Sequence, residues 1–402
     1  MKSVSLTRRE ALLSLSALGA AAFVPAFVYA ETGVAADSAG STASAEFKGE
    51  ILERIMINPT QPNAYQGWPT VALLPNGDLL AVVSGGREAH VCPFGRVDLF
   101  RSSDGGKTWS EGQTILDHPA DDRDAGICVT ARGTILVTSF TSFAYEEWLL
   151  KPERQRRANG KGTWNDERYE RWAKAHEPFL TKEAQKAELG CWMIRSEDGG
   201  KTWSERYSSI VNSPHGPIQL KDGRLLYPGK VLWDGRKIGI CESKDDGKTW
   251  SWLADLEPIP GENPVTEYFE LHGVEANSGR IVVQIRSHAK TSNQETLQCE
   301  SEDGGKTWTQ IHKIGVWGIP SHLTKLADGR LLMTNGYRRE PYGNQARISS
   351  DEGRTWSAPF VISQCAPCDL GYPSSVQLAD GTIVSVWYEA GNLKCARWKI
   401  AG

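Results

Sequence analysis

The sequence has no excess of positive charge. Its 45 Lys and Arg stand against 49 Asp and Glu, a formal net charge of −4. Without a basic footprint, nucleic acid is not an expected partner. Past residue 30 there is no apolar run long enough to cross a bilayer, so the mature chain is not expected to span one. Clustered metal ligands are missing too. The eight cysteines include one close pair, Cys365-Ala-Pro-Cys368, with no second pair or histidine cluster at metal spacing. That argues against zinc, and chemistry without metal or other cofactor is expected. What the chain has in quantity is tryptophan, 15 copies, a residue that suits both strand cores and sugar-stacking surfaces.

The one long apolar stretch lies at the start. Arg8 and Arg9 follow Ser5-Leu6-Thr7, a modestly apolar segment runs from Ala11 to Val28, and Val28-Tyr29-Ala30 offers a small-residue cleavage site. Residues 1–30 read as a twin-arginine export signal, which predicts folding before transport and a periplasmic or secreted location; the other reading is a membrane anchor. Residues 31–47, rich in Ala, Ser, Thr and Gly, read as a linker. The folded body is then 48–402. Cys241 and Cys299 occupy equivalent places in two repeats, too far apart to bond, and are expected as buried free thiols. Cys365 and Cys368 are a candidate for a local loop disulfide.

Two motifs repeat. Ser-x-Asp-x-Gly-x-Thr-Trp occurs five times, starting at Ser102, Ser196, Ser243, Ser301 and Ser349 and ending at Trp109, Trp203, Trp250, Trp308 and Trp356. It has the makings of a tight hairpin: Asp accepts bonds from nearby backbone N–H groups, Gly supplies positive φ, and Trp packs beneath. The second motif, two apolar strands around a turn glycine, occurs six times, at Gly77, Gly133, Gly223, Gly279, Gly329 and Gly381. The intervals are 56, 90, 56, 50 and 52 residues, and the long one contains a charged, helix-like insertion at about 144–189. A period near fifty with several strands per repeat predicts an all-β protein, a six-bladed β-propeller with a helical insertion in blade two. The sixth repeat carries no Ser-x-Asp box, so the early strand around Ile51–Ile57 is expected to supply its outer strand and close the ring.

The repeat also locates a candidate site. About nine residues before each hairpin glycine the innermost strand of a blade begins, and the six starts ring one mouth of the central channel. They read Trp68, Asp124, Pro214 with His215, Glu270, Pro320 with His322, and Tyr372. Polar groups converging where a core would be apolar mark a candidate site. The second strands return to the same mouth and end at Arg87, Arg286 and Arg338, with Arg123 and Arg339 nearby. Guanidinium groups so placed suit a carboxylate.

The five boxes and the six-fold repeat resemble those of the sialidase (neuraminidase) superfamily over residues 50–400. The resemblance implies that the boxes are structural and lie at the blade periphery. It also implies roles at the mouth. Tyr372, in a segment Asp369–Gly381 that looks like the family's nucleophile strand, would attack the anomeric carbon. Glu270 would take its proton, and Arg286 and Arg338 would hold the sugar carboxylate. Two family features are absent. Gly67-Trp-Pro69 stands where an Arg-x-Pro segment is expected, which leaves Arg87 or Arg123 as stand-ins for the lost arginine. The loop Gly86–Gly95 has no Asp, which leaves Glu88, His90 or Asp124 as proton donor. His215, His322 and Trp68 complete the expected sugar-binding set. The insertion's Tyr145, Trp148, Trp164, Tyr169 and Trp172 either roof the site or cap a blade edge. The resulting expectation is a retaining exo-α-sialidase-like glycoside hydrolase acting on an acidic glycan. The alternatives are a hydrolase or lyase for another acidic sugar, and a non-catalytic glycan-binding propeller.

Overall fold

A computed structural model of the chain describes residues 47–58, 65–233, 235 and 237–401. The expected export signal, and the linker up to residue 46, lie outside the described residues. Those residues form six four-stranded antiparallel sheets. Blade one runs Tyr65–Leu73, Leu79–Arg87, Arg96–Ser102 and Gln113–Leu116; blade two Asp121–Val129, Ile135–Ser142, Cys191–Ser196 and Tyr207–Ser208; blade three Ile218–Gln219, Leu225–Lys230, Ile238–Ser243 and Ser251–Asp255. Blade four runs Tyr268–Glu275, Ile281–Ser287, Thr296–Ser301 and His312–Lys313, and blade five Ser321–Lys325, Leu331–Tyr337, Gly343–Ser349 and Phe360–Gln364. Blade six takes Leu370–Gln377, Ile383–Glu389 and Asn392–Ile400 from the end of the chain and its outer strand, Gly49–Met56, from the beginning. The ring closes as the missing sixth box predicted.

Strand composition explains the stacking. Leu79-Leu80-Ala81-Val82-Val83 is a continuous apolar run because both faces of the blade are covered. Leu79, Ala81 and Val83 pack with Val384 and Val386 of blade six, while Leu80 and Val82 pack with Ile127, Ile135 and Val137 of blade two. Each of the other four blade interfaces has its own cluster of this kind. All six hairpin glycines have φ between 82° and 95°, a conformation that costs a residue with a Cβ.

The boxes are hydrogen-bonded turns, as expected. In every copy the Ser hydroxyl donates to the Asp at 2.7–2.9 Å, and the Thr N–H and hydroxyl donate to the same carboxylate at 2.9–3.0 and 2.6–2.7 Å. The Thr307 N–H and hydroxyl hold the Asp303 carboxyl down at about 2. The box tryptophans each pack against a blade-interface cluster.

The insertion is helical, with helices Lys151–Ala158, Asp166–His176 and Lys182–Glu188. Asn165 and Thr181 cap the latter two by accepting from Arg168 N–H and Ala184 N–H. Its aromatics settle between the two expected readings. Tyr145 and Trp172 are fully buried and share a core with Val91, Cys92 and Phe179, against which Trp148, Trp164 and Tyr169 pack. The insertion caps the blade one loop; its rings are spent on packing.

Candidate active site

Four of the six inner strands begin with the same backbone irregularity. Trp68, Asp124, Glu270 and Tyr372 have φ of 56°, 51°, 51° and 53°. Each opens a bulge in which two residues face one across the ladder: Glu270 and Leu271 sit between the pairs Phe269↔Arg286 and His272↔Gln284, and Tyr372 and Pro373 between Gly371↔Tyr388 and Ser374↔Val386. The same shift occurs at Arg123/Gly126 and Gly67/Thr70. A bulge re-aims a side chain out of the normal alternation. Left-handed backbone at a bulky non-glycine residue costs on the order of 1–3 kcal/mol, and such strain gathers at functional sites. Blades three and five have Pro214 and Pro320 at this position instead.

The bulges bring blades four and six together. The Tyr372 hydroxyl donates to Glu270 Oε1. Arg286 Nη1 donates to both Glu270 oxygens at 2.8 and 2.7 Å and to the Tyr372 hydroxyl at 3.0 Å. Burial and the Glu270 carboxylate push the Tyr372 phenol well above its ordinary value, against the pull of Arg286. A neutral phenol in contact with a proton acceptor and a guanidinium has the arrangement from which an activated hydroxyl can be formed. Arg338 lies with its guanidinium 5.8 Å from the Tyr372 ring and is fixed by bonds to the Leu370 carbonyl at 2.8 Å and the Tyr388 hydroxyl at 3.1 Å. Asp124 adjoins this group and makes no hydrogen bond among the described residues. Burial pushes its carboxyl up to about 7, with Arg123 opposing and Glu270 adding. A carboxyl poised there can be an acid at neutral pH.

Other expected members stand apart. Glu88 turns outward to the insertion, where Arg171, Arg168 and the Trp172 indole hold it at 2.5, 3.5 and 3.1 Å. Arg87 is buried in a pair with Asp121 at 2.7 Å, and Arg123 donates to the His90 carbonyl at 3.1 Å. Both guanidiniums lie against the Trp68 ring, at 5.2 and 4.5 Å. They support the wall of the site rather than offering free donors to a ligand. Trp68 itself is only 2 % exposed and is enclosed by Tyr65, His90, Tyr372 and Tyr388, so it presents no open face for a sugar. Burial lowers His90 to about 4, against the pull of Asp369.

His215 and His322 lie deeper, as part of a plug. With His272 they form a buried cluster, ring centroids 4.3–5.4 Å apart, and His272 stacks on His322 at 14°. Leu323 N–H donates to His272 Nδ1 at 3.0 Å and Ser375 N–H to His322 Nδ1 at 3.4 Å, so the protons of these two neutral rings sit on Nε2. The three rings line a recess of about 390 Å³ at the far end of the channel, walled by Ile127, Ile218 and Val376. Their place corrects the expectation that His215 and His322 bind sugar.

One hub escaped the sequence reading. Asp369 accepts from the Tyr65 and Tyr388 hydroxyls, both at 2.6 Å, and lies 3.5 Å from His90 Nδ1 and 4.0 Å from Arg338. Against the effect of burial, His90, Arg338 and Tyr388 hold it well below the usual carboxylate range. Its sequence signal is slight: an acidic residue three positions before the mouth residue, shared by Asp121, Glu267 and Asp369.

Fold and repeats together define a six-bladed propeller of the sialidase type. Residues 179–385 match the BNR repeat-like domain family, and residues 100–111 match the BNR/Asp-box repeat. The chain belongs to the BNR repeat-like domain family and is a divergent member of the sialidase superfamily. A sialidase of Bacteroides fragilis is 24 % identical over 324 residues, 73 % of this chain and 54 % of that protein. The chain spans about half the length of the curated sialidases it matches. Among solved structures, a protein of unknown function from Dyadobacter fermentans superposes with a TM-score of 0.67 at 23 % identity, covering 88 % of this chain and 99 % of that one. The intramolecular trans-sialidase of Ruminococcus gnavus, solved with oseltamivir carboxylate, gives 0.59 at 14 % identity, covering 90 % and 98 %.

Proposed function

We propose that the protein is a retaining exo-glycosidase that removes a terminal acidic sugar, sialic acid first among the candidates, from a glycan. The observation that carries the reading is the contact of Tyr372 with Glu270 and Arg286 at one mouth of the propeller. Tyr372 attacks the anomeric carbon as Glu270 takes the phenol proton, and Arg286 stabilises the phenolate as it forms. Tyrosine is the nucleophile that sialidases use in place of a carboxylate. A neutral phenol also approaches an anionic sugar without the repulsion a carboxylate would suffer. Asp124 protonates the leaving oxygen, and its conjugate base then activates the water that releases the sugar. Arg286 and Arg338 hold the substrate carboxylate.

The clamp has two arginines, because Arg87 and Arg123 are engaged behind Trp68. That keeps a second acidic sugar, a uronic acid, as the alternative substrate. Turnover of 4-methylumbelliferyl sialoside by the wild type, with a loss of about 10³-fold or more in Tyr372→Phe, is expected. A folded wild type that cleaves no sialoside but cleaves a uronoside would move the substrate to the alternative. Activity retained in Tyr372→Phe would refute the mechanism on either sugar.

A further inference from the structure

Cys92, Cys128, Cys191, Cys241, Cys299 and Cys395 are buried, whereas Cys365 and Cys368 are half-exposed. Their sulfurs are in contact, Sγ to Sγ 3.5 Å. They bound the loop that carries the chain from the outer strand of blade five, Phe360–Gln364, to the inner strand of blade six, Leu370–Gln377. The loop is pinned at both ends: Cys365 N–H donates to the Tyr342 carbonyl at 3.0 Å, and Ala390 N–H to the Asp369 carbonyl at 2.8 Å. Pro367 between them restricts the backbone further. Two thiols are thus held within reach by a loop with little freedom to separate them.

We infer that Cys365 and Cys368 are a site of oxidative modification, closing as an intraloop disulfide in the folded protein. The two thiols lose two protons and two electrons and one S–S bond forms; a low-molecular-weight disulfide such as oxidised glutathione takes the electrons and leaves as two thiols. Closure brings the sulfurs from contact to a bond of about 2 Å, a small movement for two half-exposed side chains. The environment favours a clasp over an exchange catalyst. Burial and the neighbouring Cys368 push the Cys365 thiol up to about 12, and burial raises Cys368 as well. Reactive exchange dithiols have depressed values. Basic thiolates are poor leaving groups, so a bond between these two reopens slowly. The clasp ends next to Asp369 and would fix the loop that delivers this carboxylate to Tyr65, Tyr388 and the vicinity of Arg338.

The test is independent of any catalytic activity. The full chain is incubated with excess oxidised glutathione or with a reductant, denatured, labelled with N-ethylmaleimide and digested for mass spectrometry. After oxidation the peptide holding residues 365–368 is expected unlabelled and two hydrogens lighter, with the six buried cysteines labelled. After reduction it is expected to carry two labels. In Cys365→Ser, Cys368 is expected to be labelled or to hold a glutathione adduct. Full labelling of both thiols in the oxidised wild type overturns the inference, as does an adduct on either that never resolves into the ring.

Discussion

His272 offers a quantitative test of how the channel is built. Burial lowers it to about 3, its Nδ1 accepts the Leu323 N–H at 3.0 Å, and its ring stacks on His322. The folded protein therefore keeps this ring neutral where the unfolded chain protonates it, at about 6.5. Below that value the unfolded state binds the extra proton, so stability is fully present above pH 6.5 and falls as the pH drops towards 3. At 1.36 kcal/mol per unit, His272 alone removes about 2 kcal/mol between pH 7.5 and 5. His215 and His322 are shifted in the same direction, by burial and by His272, and add to the slope. Asn at 272 keeps an acceptor close to the Nδ1 position and cannot titrate. Urea unfolding of wild type and His272→Asn at the two pH values separates this effect from the packing cost, which is present at both. The wild type is expected to lose about 2 kcal/mol more than the variant on acidification. An equal loss in the two proteins would show that His272 is not held neutral, and the reading of the three buried rings as a neutral plug would fall.

Asp124→Asn should remove the proposed proton donor. With the wild-type carboxyl near 7, kcat/KM is expected to decline as the pH rises through 7, and that limb should vanish in the variant along with about 10²-fold or more of the rate. Activated aryl substrates, whose leaving groups need no proton, should show a smaller loss. Asp369→Asn weakens the anchor of Tyr388 and hence of Arg338, so KM for a carboxylate-bearing sugar is expected to rise about tenfold while kcat changes less; steady-state kinetics will show the split. Asp351→Ala deletes bonds from Ser349 and Thr355 at the blade periphery, and is expected to cost about 2 kcal/mol in chemical unfolding without altering kcat of the folded protein.

Much of the architecture was legible because it is periodic. Glycine alone tolerates the hairpin turn cheaply, so six turn glycines counted six blades. The Ser-x-Asp-x-Gly-x-Thr-Trp box closes its hydrogen bonds within seven residues, so its structure travels with its sequence. The same periodicity set Glu270, Arg286, Arg338, Asp124 and Tyr372 at equivalent ends of inner and second strands, where they meet at one mouth. The helical insertion and the closing strand Gly49–Met56 followed from the interval lengths and the missing sixth box.

The arrangement within the mouth was not legible, since it depends on which neighbour each side chain finds. Arg87 and Arg286 both end a second strand. One is neutralised by Asp121 under Trp68 and the other faces Glu270 and Tyr372. Glu88 has the composition of an acid catalyst and the surroundings of a structural anchor, because the insertion brings Arg168, Arg171 and Trp172 over it. His215 and His322 neighbour the strand starts, yet they join His272 in the channel, one layer beneath the bulges that lift Glu270 and Tyr372 out. The order of residues by itself determined the repeat, the ring and the set of chemical groups at its mouth, because those rest on local turns and strand periodicity. Only the tertiary structure decided which of the groups are free to act and which are already paired, because pairing and burial arise between blades far apart in the chain.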